Sequence, residues 1–165
     1  MSDNLNVLLV GAGYMGKEYG KVLNALKIPY TVVCRSESSA SNFYEELGVR
    51  PIHGGIENAI NQIDEMPNRA IVAVNVEFLS STVITLLNCG IKELLVEKPA
   101  GLNKSEIMCV YETSKSMGAE VYVAYNRRFY SSTEKAVEII SEDGGVSSFN
   151  FEFTEWGFKI EKTSH

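Results

Sequence analysis

Residues Asn6-Val7-Leu8-Leu9-Val10 make a short apolar run that ends in Gly11-Ala12-Gly13-Tyr14-Met15-Gly16, after which the spacing becomes helical. A Gly-x-Gly-x-x-Gly turn between a strand and a helix constrains the fold more than anything else in the chain. Gly11 lets the backbone turn sharply off the strand, Gly13 keeps side chains away from an approaching pyrophosphate, and Gly16 lets the helix lie close to the sheet. The helix N-terminus then offers N–H groups and a positive dipole end to phosphate. Met15, Tyr19, Val22, Leu23 and Leu26 recur at helical spacing and are expected to form the buried stripe, with Pro29 marking the end. Residues 30–34 read as a second strand, which closes a βαβ unit.

Strands and helices go on alternating. Helices are expected over residues 39–47, ended by Gly48, and 56–63. Residues 69–75 contain Ala70-Ile71-Val72-Ala73-Val74, a continuous apolar run of the kind found in a strand covered on both faces. A helix over 78–88 ends at Cys89-Gly90. A strand over 91–96, a helix over 104–117 and a strand over 120–124 follow. The alternation predicts an α/β fold with a doubly wound parallel sheet, a Rossmann domain over residues 1–125.

The pattern changes in residues 126–165, which are expected to form a short, incomplete α+β extension. A helix over 132–140 turns Ala136, Val137 and Ile140 inward, Asp143-Gly144-Gly145 is a turn, and residues 146–156 alternate as a strand. Phe149, Phe151 and Phe153 would share one face of that strand. An unpaired strand of this kind invites a covering partner, so a homo-oligomer or a complementing chain is expected there.

The formal charge of −6 and the lack of any dense Lys/Arg stretch argue against nucleic-acid or anionic-membrane binding. No signal peptide or membrane-length apolar run is apparent, so a cytoplasmic location is the expectation. Cys34, Cys89 and Cys109 are odd in number, widely spaced and set near apolar segments, which suits reduced, partly buried thiols. None has the spacing of a metal site, and no metal is expected.

In an open α/β sheet the ligand lies beyond the carboxyl ends of the strands. Asn75-Val76-Glu77, Glu97-Lys98-Pro99-Ala100 and Tyr125-Asn126-Arg127-Arg128-Phe129 all fall there. Lys98 is the lysine set directly at a strand end, able to donate to a substrate hydroxyl or carbonyl oxygen. Pro99 fixes the backbone beside it, and a cis bond would aim the lysine. At the end of the second strand an Asp or Glu ordinarily binds the ribose of NAD, but this chain has Cys34-Arg35-Ser36. An arginine and a hydroxyl suit a 2′-phosphate, so NADP is expected over NAD, with Glu37 as the residue that would favour NAD if it swung to the ribose.

The glycine turn, the Glu97-Lys98-Pro99 triplet and Tyr125-Asn126-Arg127-Arg128-Phe129, in this order and at these separations, resemble the Gfo/Idh/MocA family of nicotinamide-dependent oxidoreductases. The resemblance spans residues 5–156. It implies a Rossmann domain followed by an open, mostly antiparallel α/β domain, a lysine at Lys98 near nicotinamide and substrate, and Asn126 and Arg127 lining the cofactor and substrate cleft. It also implies oxidation of a sugar or cyclitol hydroxyl, or reduction of the matching carbonyl. The cofactor-binding candidates are therefore Gly11, Gly13, Tyr14, Met15, Gly16, Arg35, Ser36, Asn75, Glu97, Asn126 and Arg127, with Lys98 catalytic. The family's second domain supplies an Asp and a His, and His165 lacks the neighbouring Asp that would make it that histidine. A non-catalytic NAD(P)-binding sensor or partner module needs the glycines but not Lys98. A methyltransferase-like fold is disfavoured by the missing carboxylate after the second strand.

Overall fold

A computed structural model describes residues 6–150 and Glu152, which divide into two units, one running to Tyr125 and the other starting at Asn126. In the first, β1 (Val7–Val10), β2 (Tyr30–Val33), β3 (Arg69–Val72), β4 (Glu93–Val96) and β5 (Glu120–Val123) form one sheet in the order β2-β1-β3-β4-β5. Every pairing is parallel, and Ile52 adds a single parallel bridge to Val33 outside β2. The connections are α1 (Tyr14–Ala25), α2 (Glu37–Leu47), α3 (Gly55–Ile60), α4 (Leu79–Asn88) and α5 (Lys104–Met117). This is the expected doubly wound α/β architecture.

The central strands are apolar beyond their first residues because helices lie against both faces. Leu8, Val10, Ala70, Val72, Leu94 and Val96 pack with Leu79, Val83, Leu86 and Leu87 of α4. On the opposite face Leu9 and Val32 meet Ala40 and Phe43 of α2, with Tyr19 of α1 packed beside them. Each fully buried Leu or Phe of this kind is worth about 1.5–3 kcal/mol of transfer free energy.

The stripe expected on α1 is corrected. The row it buries is Gly16, Gly20 and Leu23, while Val22 and Leu26 are 54 % and 63 % exposed and Met15 and Tyr19 are half-buried. The cause is that α1 packs through glycine: a Cβ at Gly20 would meet Leu47 and Phe43 of α2, so the backbone itself fills the contact. Element ends also move. α2 begins at Glu37, two residues before the expected start, because the Ser36 hydroxyl accepts from the Ser39 N–H and caps it. α3 stops at Ile60, and the N–H groups of Gln62 and Ile63 both turn back to the Ala59 carbonyl. β3 stops at Val72 because the chain leaves the sheet after Ala73 and enters a 3-10 turn, Val76–Phe78.

In the second unit a 3-10 turn, Asn126–Phe129, leads into α6 (Ser131–Glu142). Ala136, Val137 and Ile140 were expected to point inward, yet α6 has no buried residue, since no described layer covers its apolar side. The turn at Asp143-Gly144-Gly145 forms, with both glycines at positive φ and the Gly145 N–H donating to the Ile140 carbonyl. Residues 146–150 carry no strand. Phe151, Phe153 and the rest of the expected strand, like His165, lie outside the described residues.

Cys34 is buried and Cys89 half-buried as expected, but Cys109 is exposed, on the outer side of α5. No helix among the described residues is long and apolar enough to cross a membrane.

Candidate functional site

Because all five strands run the same way, their carboxyl ends share one rim, and the residue after each of β1, β3, β4 and β5 extends the ladder by one bond. The N–H of Gly11 donates to Val33, that of Ala73 to Val10, that of Glu97 to Val72 and that of Ala124 to Val96. The turns that follow β1, β3 and β4 are thereby tied to the rim.

Gly11 sits at φ +118° with the Ala73 carbonyl where a Cβ would stand, and the Gly11 carbonyl in turn occupies the place of a Cβ on Gly16, so neither position has room for one. Gly13 differs, because a Cβ there would project into open space. It is the N-cap of α1, has no side-chain capping bond, and no acidic residue occupies the first turn. The first N–H groups of α1 and its positive dipole end therefore face that opening without a carboxylate to neutralise them. A pyrophosphate fits such a cradle.

The cradle opens on a cleft of about 790 Å³, bounded by Gly13, Arg35, Gly55, Asn75, Phe78 and Thr82 among others. It lies where β1 separates β2 from β3, the point at which the order of strands reverses. Its far wall is the Gly54-Gly55 turn, both residues at positive φ, pinned by Gly54 N–H to the Arg35 carbonyl and Gly55 N–H to the Cys34 carbonyl. The Arg35 guanidinium lies over the Phe78 ring at 4.1 Å from its centroid, a cation–π contact that joins the β2 end to the β3 end. Ser36 Oγ accepts from Ser39 N–H and lies 2.9 Å from Ser39 Oγ. Cys34 lines the cleft, and burial pushes its thiol pKa up. Glu37 is exposed in the first turn of α2.

A smaller groove of about 460 Å³ runs between α1 and α2, bordered by Tyr14, Lys17, Ser39 and Asn42. Lys17 and Lys21 both pair with Glu46 at 2.9 Å, holding its carboxyl below the usual carboxylate range and tying the two helices together.

At the β4 end, Glu97 is half-buried, and its Oε1 accepts from the Tyr19 phenol at 2.7 Å. The Ala100 N–H donates back to the Glu97 carbonyl, and the Lys98–Pro99 bond is cis. The loop is closed on its other side by the Asn103 N-cap of α5 and the Glu106 side chain. Asn103 Oδ1 accepts from the Glu106 N–H, while Glu106 Oε2 accepts from the Leu102 N–H and the Ser80 hydroxyl. Lys98, held between these anchors, is exposed and pairs with no described residue.

The structure thus gathers Gly11, Gly13, Arg35, Ser36 and Asn75 around one cleft. Gly16 is packed beneath the turn, Tyr14 borders the smaller groove, and Met15 lines neither. Glu97 is directed to Tyr19. Asn126 and Arg127 belong to the second unit, where the Arg127 carbonyl accepts from the Tyr130 N–H and the Thr133 hydroxyl. Sequence reasoning missed Phe78, Thr82, Tyr19 and the Gly54-Gly55 wall. The paired glycines were the one available signal.

A parallel sheet wound on both faces, with a glycine cradle at its switch point, defines a dinucleotide-binding domain of the Rossmann class. The chain belongs to the Gfo/Idh/MocA oxidoreductase family, whose NAD-binding Rossmann fold is matched over residues 5–125. It is 24 % identical over 156 residues to a mouse (Mus musculus) trans-1,2-dihydrobenzene-1,2-diol dehydrogenase, covering 92 % of this chain and 46 % of that protein. Among solved structures it is similar to GenD2 from gentamicin A biosynthesis in complex with NAD (TM-score 0.75, 21 % identity, 90 % of this chain and 42 % of that one). It is also similar to a biliverdin reductase from Synechocystis in complex with biliverdin and NADP+ (TM-score 0.70, 18 % identity, 84 % and 43 %). A third is the WlbA dehydrogenase from Chromobacterium violaceum with NADH and UDP-GlcNAcA (TM-score 0.75, 14 % identity, 87 % and 41 %). The chain spans less than half the length of these relatives.

Proposed function

We propose that the chain supplies the dinucleotide-binding part of an oxidoreductase that oxidises a hydroxyl, or reduces the matching carbonyl, of a sugar- or cyclitol-like substrate, with NADP preferred over NAD. The observation that carries this reading is the N-terminus of α1: uncapped, free of acidic residues in its first turn, and faced by the open side of Gly13 beside the large cleft. When bound, the nicotinamide serves as hydride donor or acceptor.

The chain's own residues bind and orient. Gly11 lets the turn close against Ala73, Gly13 leaves the pyrophosphate room, Arg35 and Ser36 receive the 2′-phosphate, and Lys98 donates to the substrate oxygen or exchanges a proton with it. The preference for NADP rests on charge: the β2 end presents a guanidinium and two hydroxyls to the cleft, Glu37 is not among the lining residues, and the carboxylate that does line it, Glu57, is carried by α3 and not by the β2 end. The substrate class is supported by relatives whose names specify a ring diol and a UDP-sugar. The reading extends to a second copy or complementing chain that covers Phe149, which stands 86 % exposed.

Calorimetry with NADPH and NADH tests it. Tighter binding of NADPH by about tenfold or more is expected from one charge-assisted phosphate contact. Tighter NADH overturns the preference, and no heat with either overturns the dinucleotide reading.

A further inference from the structure

We propose that Tyr19 is a positioning residue for Lys98, acting through Glu97. The proposal rests on the reading of Lys98 as the substrate-facing ammonium.

Tyr19 lies in the second turn of α1, the helix whose N-terminus forms the phosphate cradle, and its phenol donates to Glu97 Oε1 at 2.7 Å across 78 residues of sequence. Glu97 immediately precedes Lys98. Among the described residues no other hydrogen bond joins α1 to the loop between β4 and α5. The far side of that loop is tied to Ser80 and to the start of α5 through Glu106. Of its two anchors, therefore, only the Tyr19 bond references the helix that receives the dinucleotide.

Burial, together with the hydrogen bond and charge of Glu97, holds the Tyr19 phenol well above its ordinary pKa. It keeps its proton and acts as a fixed donor, leaving proton exchange to Lys98. Removing the hydroxyl leaves a half-buried carboxylate without its partner. Glu97 then turns toward solvent, and the residue after it loses its orientation while the glycine cradle stays intact.

The test labels the lysines with ¹³C-methyl groups, assigns the Lys98 resonance by K98R, and titrates the whole chain with NADPH beside calorimetry. In the unsubstituted protein the Lys98 resonance shifts on saturation. In Tyr19→Phe that shift is expected to fall by about half or more while the NADPH Kd moves by less than about threefold. Glu97→Gln keeps an oxygen for the phenol and retains most of the shift, Glu97→Ala loses it, and Y19F/E97A is no worse than either single variant because the two act as one unit. A Y19F protein that responds like the unsubstituted one overturns the proposal and leaves the Lys98 reading standing. Loss of NADPH affinity in step with the Lys98 response also overturns it, since a loosened α1 explains both. A Lys98 resonance unmoved by NADPH that calorimetry finds bound defeats the Lys98 reading and the proposal with it. If Y19F does not fold, the E97Q and E97A pair carries the same comparison.

Discussion

A methyl group placed on Gly11 would stand 2.2 Å from the carbonyl oxygen of Ala73. The first strand therefore meets the third at the rim more closely than any side chain permits, and at φ +118° the Gly11 backbone is also one that L residues rarely adopt. Gly13, two residues on, has nothing within 4 Å of the same construction and a φ of −76°. One motif thus contains two glycines with different physical duties: the first closes the fold and the second leaves a space.

Gly11→Ala is accordingly expected to destabilise the protein by about 3 kcal/mol or more, combining the backbone penalty with displacement of β3. Gly13→Ala should fold within about 1 kcal/mol of the unsubstituted chain yet lose dinucleotide affinity by about tenfold or more. Denaturant midpoints and calorimetry read the two quantities separately. A Gly13→Ala protein of unchanged affinity would remove Gly13 from the site.

Arg35 is held over Phe78 before any ligand enters. In the proposed reading its charge is the group that tells a 2′-phosphate from a free ribose hydroxyl, because both cofactors share every other group. Arg35→Ala should raise the NADPH Kd by about tenfold or more and change the NADH Kd by less than about threefold. Equal losses for the two cofactors would assign Arg35 to packing on Phe78 instead of phosphate recognition.

How much of this was legible in sequence follows from how local each cause is. The strand runs Val7–Val10, Ala70-Ile71-Val72 and Leu94-Leu95-Val96 announce themselves because cover on both faces favours continuous apolar residues, while Arg69 and Glu93 at the strand starts pair at the surface. The glycine turn is legible for the same reason: its spacing is dictated by a geometry confined to a few neighbouring residues. The buried face of α1 was misread because glycine carries no hydropathy, yet Gly16 and Gly20 are what lets the helix approach. The Arg35–Phe78 and Tyr19–Glu97 contacts join segments far apart in sequence, and no periodicity encodes them. On α6 the helix forms where it was expected, but Ala136, Val137 and Ile140 do not turn inward, because a stripe states only that a face wants cover and not what covers it.

The thiols give a direct probe of the cleft. Cys34 lines it, and burial raises its pKa, so at a given pH it holds less of the reactive thiolate than an ordinary cysteine. Alkylation should strike the exposed Cys109 first. The Cys34 rate should keep climbing at pH values where an unperturbed thiol has levelled off, and saturating NADPH should slow it further by about fivefold or more, since a bound ligand excludes the reagent. Mass spectrometry of digests separates the sites. A Cys34 rate indifferent to dinucleotide would place the ligand elsewhere.

Lys98 separates an enzyme from a binding module. Its side chain is exposed and has no described partner, so truncation removes no ion pair, and Lys98→Ala should leave the melting temperature within about 2 °C. The pyrophosphate cradle lies on the β1–α1 turn, so NADPH affinity should move by less than about threefold. Hydride transfer should fall by about a hundredfold or more if the ammonium donates to, or exchanges a proton with, the substrate oxygen, the range typical of general acid–base groups. Absorbance at the reduced nicotinamide band, followed in a single turnover with a polyol or its ketone, reads that step apart from product release. Unchanged transfer in Lys98→Ala would reassign the chemistry to another group. If no transfer occurs with or without the lysine while both proteins bind NADPH equally, the chain by itself binds the dinucleotide without carrying the reaction.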